Sequence, residues 1–152
     1  MKIIVTCCIS LFFCLSGYCQ STNPVYDKAL AEKLGADEYG MKMYVLVILK
    51  TGPVTIENKG TVDSLFKGHM SNIGRMAAAG KLVIAGPFEK NEKSFRGIFI
   101  LNVKTFEEAN KLLAGDPAVS NHLLDAELFE WYGSAAISEY LPFHEKVQKE
   151  KM

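Results

Sequence analysis

Beyond residue 20 this 152-residue chain has no cysteine: all four, Cys7, Cys8, Cys14 and Cys19, fall within the first twenty positions. Disulfide, thiol and thiolate-metal chemistry are therefore excluded from residue 21 onward. Histidine is nearly as scarce. Only His69, His122 and His144 are present, so a transition-metal site would have to come from them and from carboxylates, and their spacing suggests none. Neither sign of charge is in excess, since Lys+Arg and Asp+Glu both number 17. Without a large single-sign field, nucleic acid and anionic membrane surfaces are not expected partners. Glycine-rich phosphate loops, His-Glu-x-x-His, Gly-x-Ser-x-Gly and calcium loops are also missing, and nucleotide and zinc-protease readings fall away with them.

The first twenty residues differ in composition from the rest. Lys2 is followed by an apolar run from Ile3 to Leu15, too short to span a bilayer comfortably, and the small and polar stretch Ser16-Gly17-Tyr18-Cys19-Gln20 resembles a cleavage region. A cleaved signal peptide over residues 1–20 is expected. The protein is then exported, periplasmic or secreted, with no membrane attachment afterwards. The alternatives are an uncleaved anchor or buried helix, or a lipid anchor at Cys19, where Tyr18 occupies the place that wants a small residue.

At 49% hydrophobic residues overall, the chain supports one packed core and not comfortably two. Residues 21–40 give a polar-rich lead-in helix from Tyr26 to Leu34, stopped by Gly35. Met41 to Leu49 is nearly continuous in apolar and β-branched residues, as a central strand buried on both faces would be. Thr61 is placed to cap a helix running to about Ala79. Its Leu65, Phe66, Met70, Ile73, Met76 and Ala77 recur at helical spacing, and Gly80 supplies the left-handed cap. Leu82 to Ala85 and Gly97 to Val103 then form a hairpin around the charged Glu89–Ser94 turn. Thr105 and Glu108 form a capping box for a helix through Leu113, which Gly115-Asp116-Pro117 ends. Ala126 to Tyr132 alternates as a last strand. Glu139 to Met152, within a C-terminal tail of 136–152, is lysine-rich and expected to fray.

Strand, helix, strand, strand, helix, strand is the order of an α+β, ferredoxin-like βαββαβ domain over residues 41–135: a four-stranded antiparallel sheet with both helices on one face. The opposite face needs cover. A second copy of the chain is the expected cover, which makes a homodimer.

His69 lies four residues after Leu65 and four before Ile73, on or beside the helix stripe that faces the sheet. A histidine there is either a core residue with a hydrogen-bond partner or a working group, and in both cases the partner matters. The string from Gly68 to Phe88, GHMSNIGRMAAAGKLVIAGPF, with Asp116-Pro117 beyond the following helix, resembles the central signature of the YCII-related family over roughly Met41 to Ser134. The matching residues are His69, Gly80, Lys81, Leu82, Gly86, Pro87 and the Asp-Pro pair. Where many members carry an arginine shortly before the histidine, this sequence has Lys67 and Gly68. The resemblance implies the dimeric α+β barrel form of the fold, with His69 and Asp116 as the active-site dyad.

A histidine held by a carboxylate is an acid-base unit: the carboxylate fixes the tautomer, and the other ring nitrogen exchanges a proton near neutral pH. Proton abstraction beside a carbonyl, isomerisation or elimination on a small organic molecule would follow, with no cofactor. By itself Asp116-Pro117 is also good turn chemistry. Arg75 and Arg96 could orient an anionic substrate, and Trp131 and Tyr132 could line a pocket; solvated surface, core and dimer contact are the ordinary fates of such residues. A non-catalytic ligand-binding or interaction module, with the dyad as a structural hydrogen bond, is the rival reading. A stability domain of an envelope assembly is the third.

Overall fold

A computed structural model describes residues 23–150; the expected signal peptide and Cys19 lie outside them. A first helix, α1 (Lys28–Leu34), is capped by the Asp27 carboxylate at its start and by Gly35, at φ 70°, at its end. It leads into β1 (Met41–Thr51), followed by α2 (Lys59–Ala78), β2 (Leu82–Pro87), β3 (Phe95–Leu101), α3 (Phe106–Ala114), a single turn α4 (Pro117–Ser120) and β4 (Leu124–Ser134). The strands form one antiparallel sheet in the order β2-β3-β1-β4, the ferredoxin-like arrangement expected of the α+β class.

The sheet is two-sided in a way that the apolar run of β1 disguises. Val45, Val47 and Leu49 point to the helix side and are fully buried with Phe99, Leu101, Met76 and Leu113. Fully burying each such side chain contributes roughly 1.5 to 3 kcal/mol. Leu46 and Ile48 point the other way and are only half-buried, so β1 is central but not sealed on both faces. Phe129 and Trp131 of β4 lie opposite Leu46 and Tyr44 on that same open face.

Several boundaries shift from expectation for local reasons. Asn58, not Thr61, caps α2, its side-chain oxygen accepting from the Thr61 amide at 3.0 Å. Thr105 caps α3 by accepting from the Glu108 amide, while the Glu108 carboxylate reaches one residue further back, to the Lys104 amide. The chain is helical from Ala135 to Val147, a 3-10 turn followed by α5 (Leu141–Val147), so the expected fraying from Glu139 does not begin there. Ile137 packs on the Tyr44 side of the sheet, and the Tyr140 hydroxyl donates to the Val83 carbonyl at 2.5 Å. Anchoring apolar residues, which the charged end of the segment masks in sequence, hold it against one end of the open face.

Candidate active site

Two of the three buried positions of α2 are polar. His69, Asn72 and Met76 are its buried residues, whereas Met70 and Ala77, assigned to the inward stripe by spacing, are exposed. A helix inserting an imidazole and an amide into a protein interior needs partners for both. Asp116 provides them. It is the cap of α4, 0% exposed, and its Oδ1 accepts from the Ala118 and Val119 amides at 3.0 and 3.3 Å. Its Oδ2 takes a 2.7 Å hydrogen bond from His69 Nδ1 and a 3.3 Å bond from Asn72 Nδ2. Both carboxylate oxygens are thus occupied, and the Asp-Pro turn is also the dyad's second half.

Arg75 completes the chain. Its Nη2 donates to Asn72 Oδ1 at 2.6 Å and to the Gly115 carbonyl at 3.1 Å. An arginine cannot accept, so this contact fixes which end of the Asn72 amide is oxygen and turns the amide nitrogen towards Asp116. Arg75 therefore acts on the dyad through Asn72; it does not border the cleft described below.

Burial of the Asp116 carboxyl pushes its pKa up, but the hydrogen bond and charge of His69, the Val119 amide and Asn72 together outweigh this and hold it below the ordinary aspartate value. An ionised carboxylate can only accept, so the proton between the two groups resides on His69 Nδ1, and Nε2 is the ring nitrogen turned away from Asp116. Two aromatic rings fix the plane of the imidazole: Phe99 stacks on it at 5.8 Å, and Phe66 meets it edge-on at 6.2 Å. No protein group among the described residues bonds to Nε2, nor is that nitrogen sealed from solvent. His69 borders a cleft of about 390 Å³ between α2 and the β2-β3 end of the sheet. Its wall is Phe66, Met70 and Ile73, its floor includes Leu49, Gly97 and Phe99, and Arg96 stands at one side.

The structure brings His69, Asp116 and Arg75 into one network and leaves Trp131 and Tyr132 apart from it. Trp131 lies on the open face with its ring 5.7 Å from that of Tyr44. The Tyr132 hydroxyl donates to the Asp37 carboxylate near the end of the lead-in, a bond that pushes the phenol up to about 12 and lowers Asp37. As site residues, Asn72, Phe66 and Phe99 escaped the reading from sequence, which gave Phe66 and Phe99 only as parts of a helix stripe and a strand. For Asn72 a signal existed, since it follows His69 by three positions and must share its helix face. The two phenylalanines carried no such signal, because an inward aromatic beside a histidine looks the same as any core residue. Among the described residues, no group of three or more histidine, cysteine or acidic side chains could hold a metal ion, and no helix is long and apolar enough to cross a membrane.

Among solved structures, this chain is similar to 5-chloro-2-hydroxyhydroquinone dehydrochlorinase from Burkholderia phenoliruptrix AC1100, determined in complex with 2,5-dihydroxybenzoquinone. Identity is 15%, with 57% of this chain and 92% of that chain covered at a TM-score of 0.41. A likeness that distant transfers neither activity nor ligand. No curated protein matches the chain. The family model of the YCII-related domain matches residues 43–132, a span that begins in β1, ends in β4 and contains both halves of the buried pair. The protein belongs to the YCII-related domain family.

Proposed function

We propose that this protein is a small-molecule acid-base enzyme in which His69 Nε2 exchanges a proton with a substrate held in the cleft, while Asp116 fixes the ring and stabilises its charged form. One observation carries this reading: an imidazole whose Nδ1 is locked on a buried carboxylate and whose Nε2 is left without a protein partner beside an apolar hollow. A positioned base of this kind contributes roughly 10² to 10⁴ in rate. Proton abstraction beside a carbonyl, isomerisation or elimination fits it without a cofactor. Export with loss of residues 1–20 and a homodimer closed over the open sheet face complete the proposal. The first is supported by the composition of that segment, the second by half-exposed Leu46, Ile48 and Phe129.

The four hydrogen bonds on Asp116 favour one other reading, a non-catalytic ligand-binding module in which the pair is a structural clasp. Deuterium wash-in separates the two. Small carbonyl compounds with acidic C–H bonds, incubated with the protein in heavy water, are expected to exchange faster with wild type than with His69→Asn, as followed by proton NMR. Equal exchange by both proteins across the panel rejects the acid-base role, and mass spectrometry of a co-purified molecule would then identify what the clasped module holds.

A further inference from the structure

We infer that the cleft is built for a small organic oxyanion, a carboxylate or its equivalent on a flat apolar body, and that Arg96 selects it; the inference rests on the reading of this cleft as the substrate site. The first support is a break in strand pairing. In the β1-β3 ladder Leu49 pairs with Gly97 and the next residue, Lys50, pairs with Phe95, so Arg96 is the extra residue with no partner across the strand. Strict alternation would send Arg96 to the open face together with Ile98. A bulge interrupts alternation and re-aims the side chain at that point, and here Arg96 borders the cleft that holds His69.

The second support is the company it keeps. Of the twelve residues around the cleft, His69 and Arg96 alone carry ionisable side chains; Leu49, Phe66, Met70, Ile73 and Phe99 are among the apolar rest. Among the described residues no carboxylate lies within ion-pair distance of Arg96, and its side chain makes no hydrogen bond to protein. This contrasts with Arg75, whose guanidinium is engaged by Asn72 and Gly115. A planar fork of donors that is always charged and has no internal partner matches a planar oxyanion bidentately.

The third support is continuity. Arg96 and Pro87 also border a second hollow of about 500 Å³, lined further by Lys90, Asn91 and Ser94 of the β2-β3 turn. Arg96 therefore stands where the apolar cleft meets a hollow of mixed lining, to which Phe88 and Phe95 also contribute. A ligand whose apolar body lies against Phe66 and Phe99, within reach of His69, would place a charged end at this junction.

Binding measured by NMR tests the inference without any need for turnover. Benzoate is the charged probe, with benzamide and benzyl alcohol as neutral isosteres, titrated against the full chain while the His69 ring resonances report on the cleft. Benzoate is expected to perturb His69 and to bind at least about tenfold more tightly than either isostere. Arg96→Gln should raise its Kd by a similar factor and leave the neutral probes unchanged, while Arg96→Lys should fall between. Benzoate binding no tighter than benzamide, benzoate insensitive to Arg96→Gln, or no response of His69 to any probe at millimolar concentration would each overturn the inference. His69→Asn keeps the two proposals distinct: Arg96-dependent benzoate binding that persists without any His69-dependent exchange would leave oxyanion selection standing and remove only the catalysis.

Discussion

The ring of Pro117 occupies the place where a side chain on Gly68 would begin: a β-carbon added there would lie 2.6 Å from Pro117 Cγ. Each of these residues is the chain neighbour of one member of the dyad. Gly68 lets α2 approach the Asp-Pro turn closely enough for His69 to reach Asp116 at 2.7 Å, and the rigid pyrrolidine sets the first turn of α4, whose amides hold the carboxylate. Gly-His and Asp-Pro are thus two halves of one close contact.

Gly68→Ala should therefore destabilise the fold although alanine is the better helix former. Overpacking costs about 1 to 3 kcal/mol, against a helix-propensity gain of at most about 1 kcal/mol. Gly74 lies on the same helix, and a β-carbon there meets nothing within 4 Å. Gly74→Ala is expected to stabilise by about 0.5 to 1 kcal/mol. Urea midpoints of the two variants should move in opposite directions, and a shared direction would mean that the Gly68-Pro117 contact relaxes at no cost.

Removing the Asp116 carboxylate takes away a helix cap and orphans buried donors. Asp116→Ala is expected to lose about 3 kcal/mol, from a cap worth about 1 kcal/mol and an unsatisfied buried group costing about 1 to 3 kcal/mol. Asp116→Asn keeps an oxygen for the Ala118 and Val119 amides but sets an amide NH2 against Asn72 Nδ2 and His69 Nδ1. The histidine must then accept at Nδ1 and carry its proton on Nε2, the wrong tautomer for a base facing the cleft. Asp116→Asn should be the milder loss in stability and a severe loss in exchange activity. Denaturation curves and the ring nitrogen-15 shifts of His69 check both halves.

Acid should dissolve the clasp in a defined order. Because the folded-state pKa of Asp116 is lowered, its stabilising contribution is complete above the pH at which an unfolded aspartate titrates, about 3.9, and is lost as pH falls through the lower native value. The stability gap between wild type and Asp116→Asn should narrow as pH falls below about 4. A gap that persisted unchanged to the lowest pH at which both proteins fold would show that Asp116 titrates normally.

Phe129, 45% exposed, faces outward beside Leu46 on the uncovered side of the sheet. If a second copy closes over that face, Phe129→Glu buries a charge with no partner and should convert dimer to monomer by sedimentation analysis, with far-ultraviolet dichroism unchanged. Wild type that sediments as a monomer would remove the dimer from the proposal.

Much of this was legible in order and composition. Continuous apolar runs marked β1 and β3, helical spacing marked α2, and Thr105 with Glu108 marked the start of α3, because each signal is local and repeats every two or three to four residues. The ends were less legible where a cap competes with a cap, as Asn58 does with Thr61, or where a charged segment hides anchors such as Ile137 and Tyr140. His69 and Asp116 stood out by family pattern. Of the residues that orient them, Arg75 stood out only for a different role, towards substrate, and Asn72 not at all, since it looks in sequence like part of an ordinary polar helix flank.

What the chain by itself determined is therefore the alternation of strands and helices, and with it the class of fold, since period and punctuation need only neighbours along the backbone. It also settled the absence of thiols after residue 20. Only the tertiary structure decided that a histidine and an aspartate 47 positions apart would share a proton, that Trp131 and Tyr132 would lie elsewhere, and that a misaligned rung would bring Arg96 to the cleft. Those outcomes depend on close approach between distant segments, fixed by a missing β-carbon at one place and an extra residue at another, and neither has a period that sequence can display.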